Sequence, residues 1–188
     1  MLVEVGGALT AGLLASSYAL IAFGSDSLIE LLSAFVVLRH LKLDNSGSKA
    51  LGEKTALFAS FLLIALVPLI GVGSSYSFFE LKTMPRASIL GLAIAIGAVV
   101  VMPILWTKKK QIGRETGCLP LSIDAIESAT CFLMSVALLG GLLLELVFHI
   151  GWFDYIATLV ILAFVAFEAR ESLQEARNDH QSRISSLA

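Results

Sequence analysis

The sequence predicts an all-α membrane protein with six transmembrane helices, and three features carry that prediction. Hydrophobic residues make up 57% of the 188 and charged residues 15%, with a mean hydropathy of +0.87. Soluble domains lie nearer about 45–50% apolar and about 25% charged. A soluble core of this size has no room for so much apolar surface. The apolar residues also come as long continuous runs without strict alternation, which favours helices over a transmembrane β-barrel. Finally, the basic residues collect in alternate breaks between the runs.

Six runs are expected, at approximately 2–22, 25–43, 55–76, 86–107, 119–147 and 152–171. Each is near or above the roughly 20 helical residues needed to cross about 30 Å of hydrocarbon. Within the first run, Ser16 and Ser17 can already open the turn into the second, which would leave a short first helix. Arg39, Lys42, Lys49 and Lys54 follow the second run, Lys108, Lys109, Lys110 and Arg114 follow the fourth, and Arg170, Arg177 and Arg183 follow the sixth. These are eleven of the 13 Lys and Arg, leaving Lys82 and Arg86 in a break on the other side. The excess of positive charge predicts that both termini and the basic breaks are cytoplasmic. Residues 1–173 read as one six-helix transmembrane domain, and 174–188, with EARNDHQSRISS, as a short cytoplasmic tail with the look of a frayed helical end.

Other classes find no support. The net charge of -2 comes without a basic, aromatic-rich stretch, so no nucleic acid is expected as a partner. Neither a phosphate-binding loop nor a catalytic constellation is present, and the reading is of a non-enzyme without a prosthetic group. Cys118 and Cys131 make no disulfide framework.

Polar side chains inside the runs carry the functional signal. Asp26 and Glu30 in SDSLIELLSAFVVL, and Glu127 and Cys131 in IDAIESATCFLMSV, form two pairs with one-turn spacing. A carboxylate in hydrocarbon costs several kcal/mol, so such groups face a protein interior and mark an ion or substrate pathway. Residues four apart on an α-helix share a face at about 6 Å along the axis. If the second and fifth helices pack side by side at about 8–10 Å, the four side chains converge. Three carboxyl groups and a thiol suit Zn2+, with Fe2+, Co2+, Mn2+ and Cd2+ as alternatives. Asp124 is an additional candidate, either as a further ligand or as a residue orienting the others, although after Pro120 and Ser122 it fits a helix N-cap equally well. Taken alone, Asp26 and Glu30 also fit a hydrogen-bonded pair, and Cys131 a small packing residue. Glu4, Glu145, Asp154 and Glu168, near the ends of runs, are expected to reach interfacial water. Lys108 to Lys110 read as a topology signal in contact with anionic lipid.

SSYALIAFGSDSLIELLSAFVVLRH resembles the cation diffusion facilitator family, in which a Ser-x-Ala-Leu turn leads into a second helix carrying an Asp-x-x-x-Asp metal pair; Asp26 and Glu30 occupy those positions. LPLSIDAIESATCFLMSVALLGGLLLELVFHIGWFDYIATLVILAF is similar to the family's fifth and sixth helices. Asp124 stands at the Asp of an Ala-Asp-x-x-His segment, Glu127 at its His and Cys131 at the following Asp, with Trp152 and Asp154 opening the sixth helix. The His-rich stretch common between the second and third helices is absent from KLDNSGSKALGEKTALF, and the family's metal-binding cytoplasmic domain is missing, as in its short transmembrane-only branch. The resemblance implies a cation-diffusion-facilitator-like bundle and a divalent transition-metal transporter. Its expected activity is efflux of Zn2+ or a similar metal by proton antiport, between helices two and five. It also implies a homodimer through membrane helices, for which span three offers the small residues Ala56, Ala59, Ser60, Gly71 and Gly73. The alternatives are a non-transporting membrane metal sensor or accessory subunit, and a passive cation channel.

Overall fold

Ser16 divides the first apolar run. The computed structural model describes residues 1–43, 49–81, 85–86, 88–116 and 119–187, with side chains described for 1–32, 35, 61–80, 85–86, 88–112, 115 and 128–170. Helix α1 spans Leu2–Ala15, after which Ser16 takes a left-handed conformation at φ 55°. The Ser17 amide then donates to the Gly12 carbonyl at 2.9 Å, the long-range bond of a left-handed helix cap. Helix α2 starts at once, at Tyr18. The first run is therefore not one span of 2–22: with 14 residues, α1 is about 21 Å long at 1.5 Å per residue.

Five further helices follow among the described residues: α2 Tyr18–Leu43, α3 Lys49–Tyr76 with a π-helical turn Ser77–Leu81, α4 Ile89–Thr116, α5 Leu119–Phe148 and α6 Trp152–Leu187. Among the described residues, four stretches, Phe61–Glu80, Ile89–Ile112, Ser128–Phe148 and Trp152–Arg170, are long and apolar enough to cross a membrane. Helix α4 runs past the fourth apolar run to Thr116, so Lys108 to Lys110 are helical and not part of a loop. Likewise α6 continues through the tail to Leu187. Lys82 and Cys118 lie outside the described residues.

The helices close a ring in the order α1, α2, α3, α6, α5, α4 and back to α1, with α2 also crossing the middle to touch α5 and α6. Glycine sets the closest approaches. A Cβ on Gly24 would sit 3.0 Å from the Leu9 backbone nitrogen, and one on Gly12 would sit 2.9 Å from that of Ile21. Only hydrogen at these positions lets α1 and α2 lie backbone to backbone. At the α5–α6 hairpin, a Cβ on Gly141 would be 2.6 Å from that of Ala157. In span three, Gly71 and Gly73 face Leu162 and Tyr18 of the same chain; the side chains of Ala56, Ala59 and Ser60 are outside the described set. Phe23, Leu20, Met102, Met134, Leu138 and Ile161 fill the interior, while Leu69, Phe79, Ile89, Leu159 and Phe167 are exposed, as a lipid-facing surface requires. Phe78 packs edge-on against Trp152 and Tyr155, at 5.4 and 5.1 Å between ring centres, forming an aromatic belt at one end of the bundle.

Candidate metal centre

Helix α2 carries the first half of the site into the centre of the ring. Its opening turn is fully capped: Ser17 Oγ accepts from the Leu20 amide at 3.1 Å and donates to Asp154 Oδ1, while Asp154 Oδ2 accepts from the Tyr18 amide at 3.0 Å and the Ala19 amide at 3.5 Å. Helix N-termini leave amides without partners, and here a serine and a carboxylate from α6 satisfy them. Two and three turns further on, Asp26 and Glu30 are 4% and 8% exposed. Ser27 beside them is fully buried, and its hydroxyl has no partner among the described residues.

Across the ring, α5 brings Cys131, a free thiol 1% exposed. Its neighbours on the same helix are polar as well: Ser128 and Ser135 are fully buried, and Ser135 Oγ donates to the Cys131 carbonyl at 2.7 Å. Helices α2 and α5 pack together, and Asp26, Glu30 and Cys131 are each buried on them. Glu127 and Asp124 lie on α5 by their backbone, and their side chains are outside the described set. As the sixth residue of α5, which begins at Leu119, Asp124 is inside the helix and does not cap it. Among the described residues no three His, Cys, Asp or Glu side chains stand close enough together to hold a metal ion.

Several polar residues behave differently from their positions in the runs. Asp154 is 1% exposed and Glu145 4%, so neither reaches interfacial water; Asp154 is the α2 cap, and Glu145 lies on α5 within electrostatic range of it. Glu4 and Glu168 are only partly exposed. Glu4 also pairs with the N-terminal amine at 3.7 Å. Lys109 is half-buried and donates to Ser128 Oγ at 2.9 Å, in contrast to exposed Lys108 and Lys110, the latter lying 5.2 Å over the Trp106 ring. Sequence position marks Glu4 and Glu168 as charges in apolar context; which way they face depends on the neighbouring helices.

No curated protein matches the chain at a significant level. The family model of the cation efflux transmembrane domain matches residues 2–179, nearly the whole sequence, and agrees with an all-helical membrane bundle whose acids face inward. The chain is therefore an integral membrane protein of the cation efflux, or cation diffusion facilitator, family, and a transporter of divalent metal cations.

Proposed function

We propose that the protein exports Zn2+, or a transition metal of similar softness, in exchange for protons, through a site made by Asp26 and Glu30 of α2 with Glu127 and Cys131 of α5. One observation carries this reading: two carboxylates on α2 and a thiol on α5 are buried, and the two helices pack against each other. Groups of this kind are retained in a membrane interior for ion handling. A carboxylate and thiolate shell binds borderline-soft cations, and each ligand must lose its proton to do so. Metal and protons then compete for the same atoms. A proton-rich far side displaces the metal, and the protonated site returns inward. Asp124, one turn before Ser128, is a further candidate ligand or a residue orienting Glu127. Movement of helix groups about this central site would supply alternating access.

The reading includes cytoplasmic termini and a homodimer formed through membrane helices; mass measurement in native-like lipid tests the dimer, and a monomer there overturns it. Flux of Zn2+, Cd2+ and Mn2+ into proteoliposomes, with and without an imposed pH gradient, tests the activity. Antiport requires uptake that rises when the lumen is acidic and proton efflux that accompanies it. Flux that follows the metal gradient alone identifies a channel, and binding without flux identifies a sensor or accessory subunit.

A further inference from the structure

The buried stripe of α5 that holds Cys131 continues through Leu138 and Leu142 and ends in a carboxylate, Glu145. This spacing keeps the four residues on one helix face, and Glu145 lies about 21 Å along the axis from Cys131. It is 4% exposed, and among the described residues its Oε2 is buried and accepts no hydrogen bond. A carboxylate left this way is costly to keep ionised. The α5–α6 hairpin brings a second one beside it. A Cβ on Gly141 would sit 2.6 Å from that of Ala157, so one further turn toward the hairpin puts Glu145 of α5 level with Asp154 of α6. Asp154 is 1% exposed and already accepts from the Ser17 hydroxyl and from the Tyr18 and Ala19 amides. Among the described residues, the other ionisable groups at this end of the elements packed on α5 are Tyr18 of α2, Tyr155 of α6 and Arg86 just before α4, while His149 follows Glu145 along its own chain. Arg86 and His149 are exposed, and residues 89–101 of α4 carry no ionisable side chain.

We propose that Glu145 is a proton-binding site that locks this end of the bundle. With a proton on Glu145, Asp154 carries the charge of the pair alone and keeps the head of α2 capped. Release of that proton puts two like charges side by side in a buried place, and they part by drawing Asp154 away from Ser17, Tyr18 and Ala19. The α1–α2 corner, which the Arg86 amide ties to the start of α4 at 3.0 Å, is then free to move. The closed arrangement holds the proton and the open one gives it up to water. Protons therefore stabilise closure, and that stabilisation is lost as pH rises. The inference deepens the proposed proton-coupled export and rests on it for direction: with the α5–α6 turn outside, acid on that side shuts that side and returns the metal site inward. The proton bound here is separate from those that compete with metal at Asp26, Glu30, Glu127 and Cys131.

Hydrogen exchange of the full chain in lipid nanodiscs, corrected for the intrinsic rate at each pH, reads the lock at the amides of Tyr18, Ala19 and Leu20. Expected in the parent is protection that falls by at least about tenfold from mildly acidic to mildly alkaline pH. Glu145→Gln keeps the shape and cannot ionise, so it should stay protected throughout. Parent protection that does not change with pH overturns the inference, and so does a Glu145→Gln protein that still loses protection in alkali. Protection lost toward acid overturns it as well, because that direction reports the Asp154 charge. The parent outcomes need no variant and hold whether or not Glu145→Gln folds. Glu30→Gln separates the lock from the metal site: it should lose Zn2+ binding, titrated in the same nanodiscs against a fluorescent chelator, and keep the parent's exchange profile. If Glu30→Gln binds Zn2+ as the parent does, the proposed site fails while a pH-dependent exchange profile still supports the lock. If it loses binding while the parent's exchange does not respond to pH, only the lock fails.

Discussion

The Asp154 carboxylate at the start of α6 closes the head of α2, accepting from the Ser17 hydroxyl and, at 3.0 Å, from the Tyr18 amide. Residues 136 positions apart thereby set the end of the helix that carries Asp26 and Glu30. The turn before it is tied at the other side by the Arg86 amide, which donates to the Ala15 carbonyl at 3.0 Å. The α1–α2 corner, the start of α4 and the start of α6 are thus one hydrogen-bonded unit, and any rocking of α2 must carry the unit or break it.

Asp154→Ala should destabilise the bundle by about 1–3 kcal/mol, because it leaves buried donors without partners. Ser17→Ala, which removes one hydroxyl and leaves the carboxylate, should cost about 1 kcal/mol. Thermal unfolding in detergent measures both. A larger loss for Ser17→Ala than for Asp154→Ala would contradict the ranking.

Cys131→Ser should weaken binding of Zn2+ and Cd2+ more than that of Mn2+, since it exchanges a soft sulfur donor for a poor oxygen donor. Unchanged affinity for all three metals in a folded protein would make Cys131 a packing residue.

Glu30→Gln should impair every metal, because the lost charge is one that each cation needs. Affinity of the parent should rise with pH: carboxyl and thiol protons must leave before metal enters, and fewer remain to be displaced as pH increases. The rise should be shallower in Glu30→Gln, which has one proton fewer to release. Titrations of Zn2+ binding at several pH values check both the sign and the slope, and a parent affinity independent of pH would rule out proton exchange at this site.

Glu4→Gln and Glu168→Gln should each reduce Zn2+ affinity by a few-fold and in a salt-dependent manner, as expected of charges that act at a distance without ligating. A loss as complete as that of Glu30→Gln would instead make the residue a ligand.

Gly141→Val should separate α5 from α6, since even a Cβ there would come within 2.6 Å of Ala157; overpacking of this kind costs about 1–3 kcal/mol. The loss of folded protein in detergent on heating measures it, and Gly140→Ala, whose Cβ would meet nothing within 4 Å, serves as the tolerated control.

The sequence by itself determined the membrane class, the helix count and the burial of two acids, Asp26 and Glu30. Hydropathy is a sum over neighbouring residues, and a charge inside an apolar run announces itself whatever the fold. The Asp26–Glu30 pair was legible for that reason, and the buried Cys131 stands in a similarly apolar run. What the tertiary structure decided is where the polar groups at the ends of runs point. Asp154 and Glu145 look like residues reaching for interfacial water, yet α2 packs its unpaired amides onto Asp154 and buries it. Lys109 differs from Lys108 and Lys110 only by its rotation about α4, which sets it against Ser128 of α5. The turn at Ser16 was already open to the sequence, where Ser16 and Ser17 interrupt the first run; the tertiary structure adds that α1 and α2 then meet backbone to backbone at Gly12 and Gly24. Burial at a helix end is conferred by another helix, so it is written in the packing and not in the run.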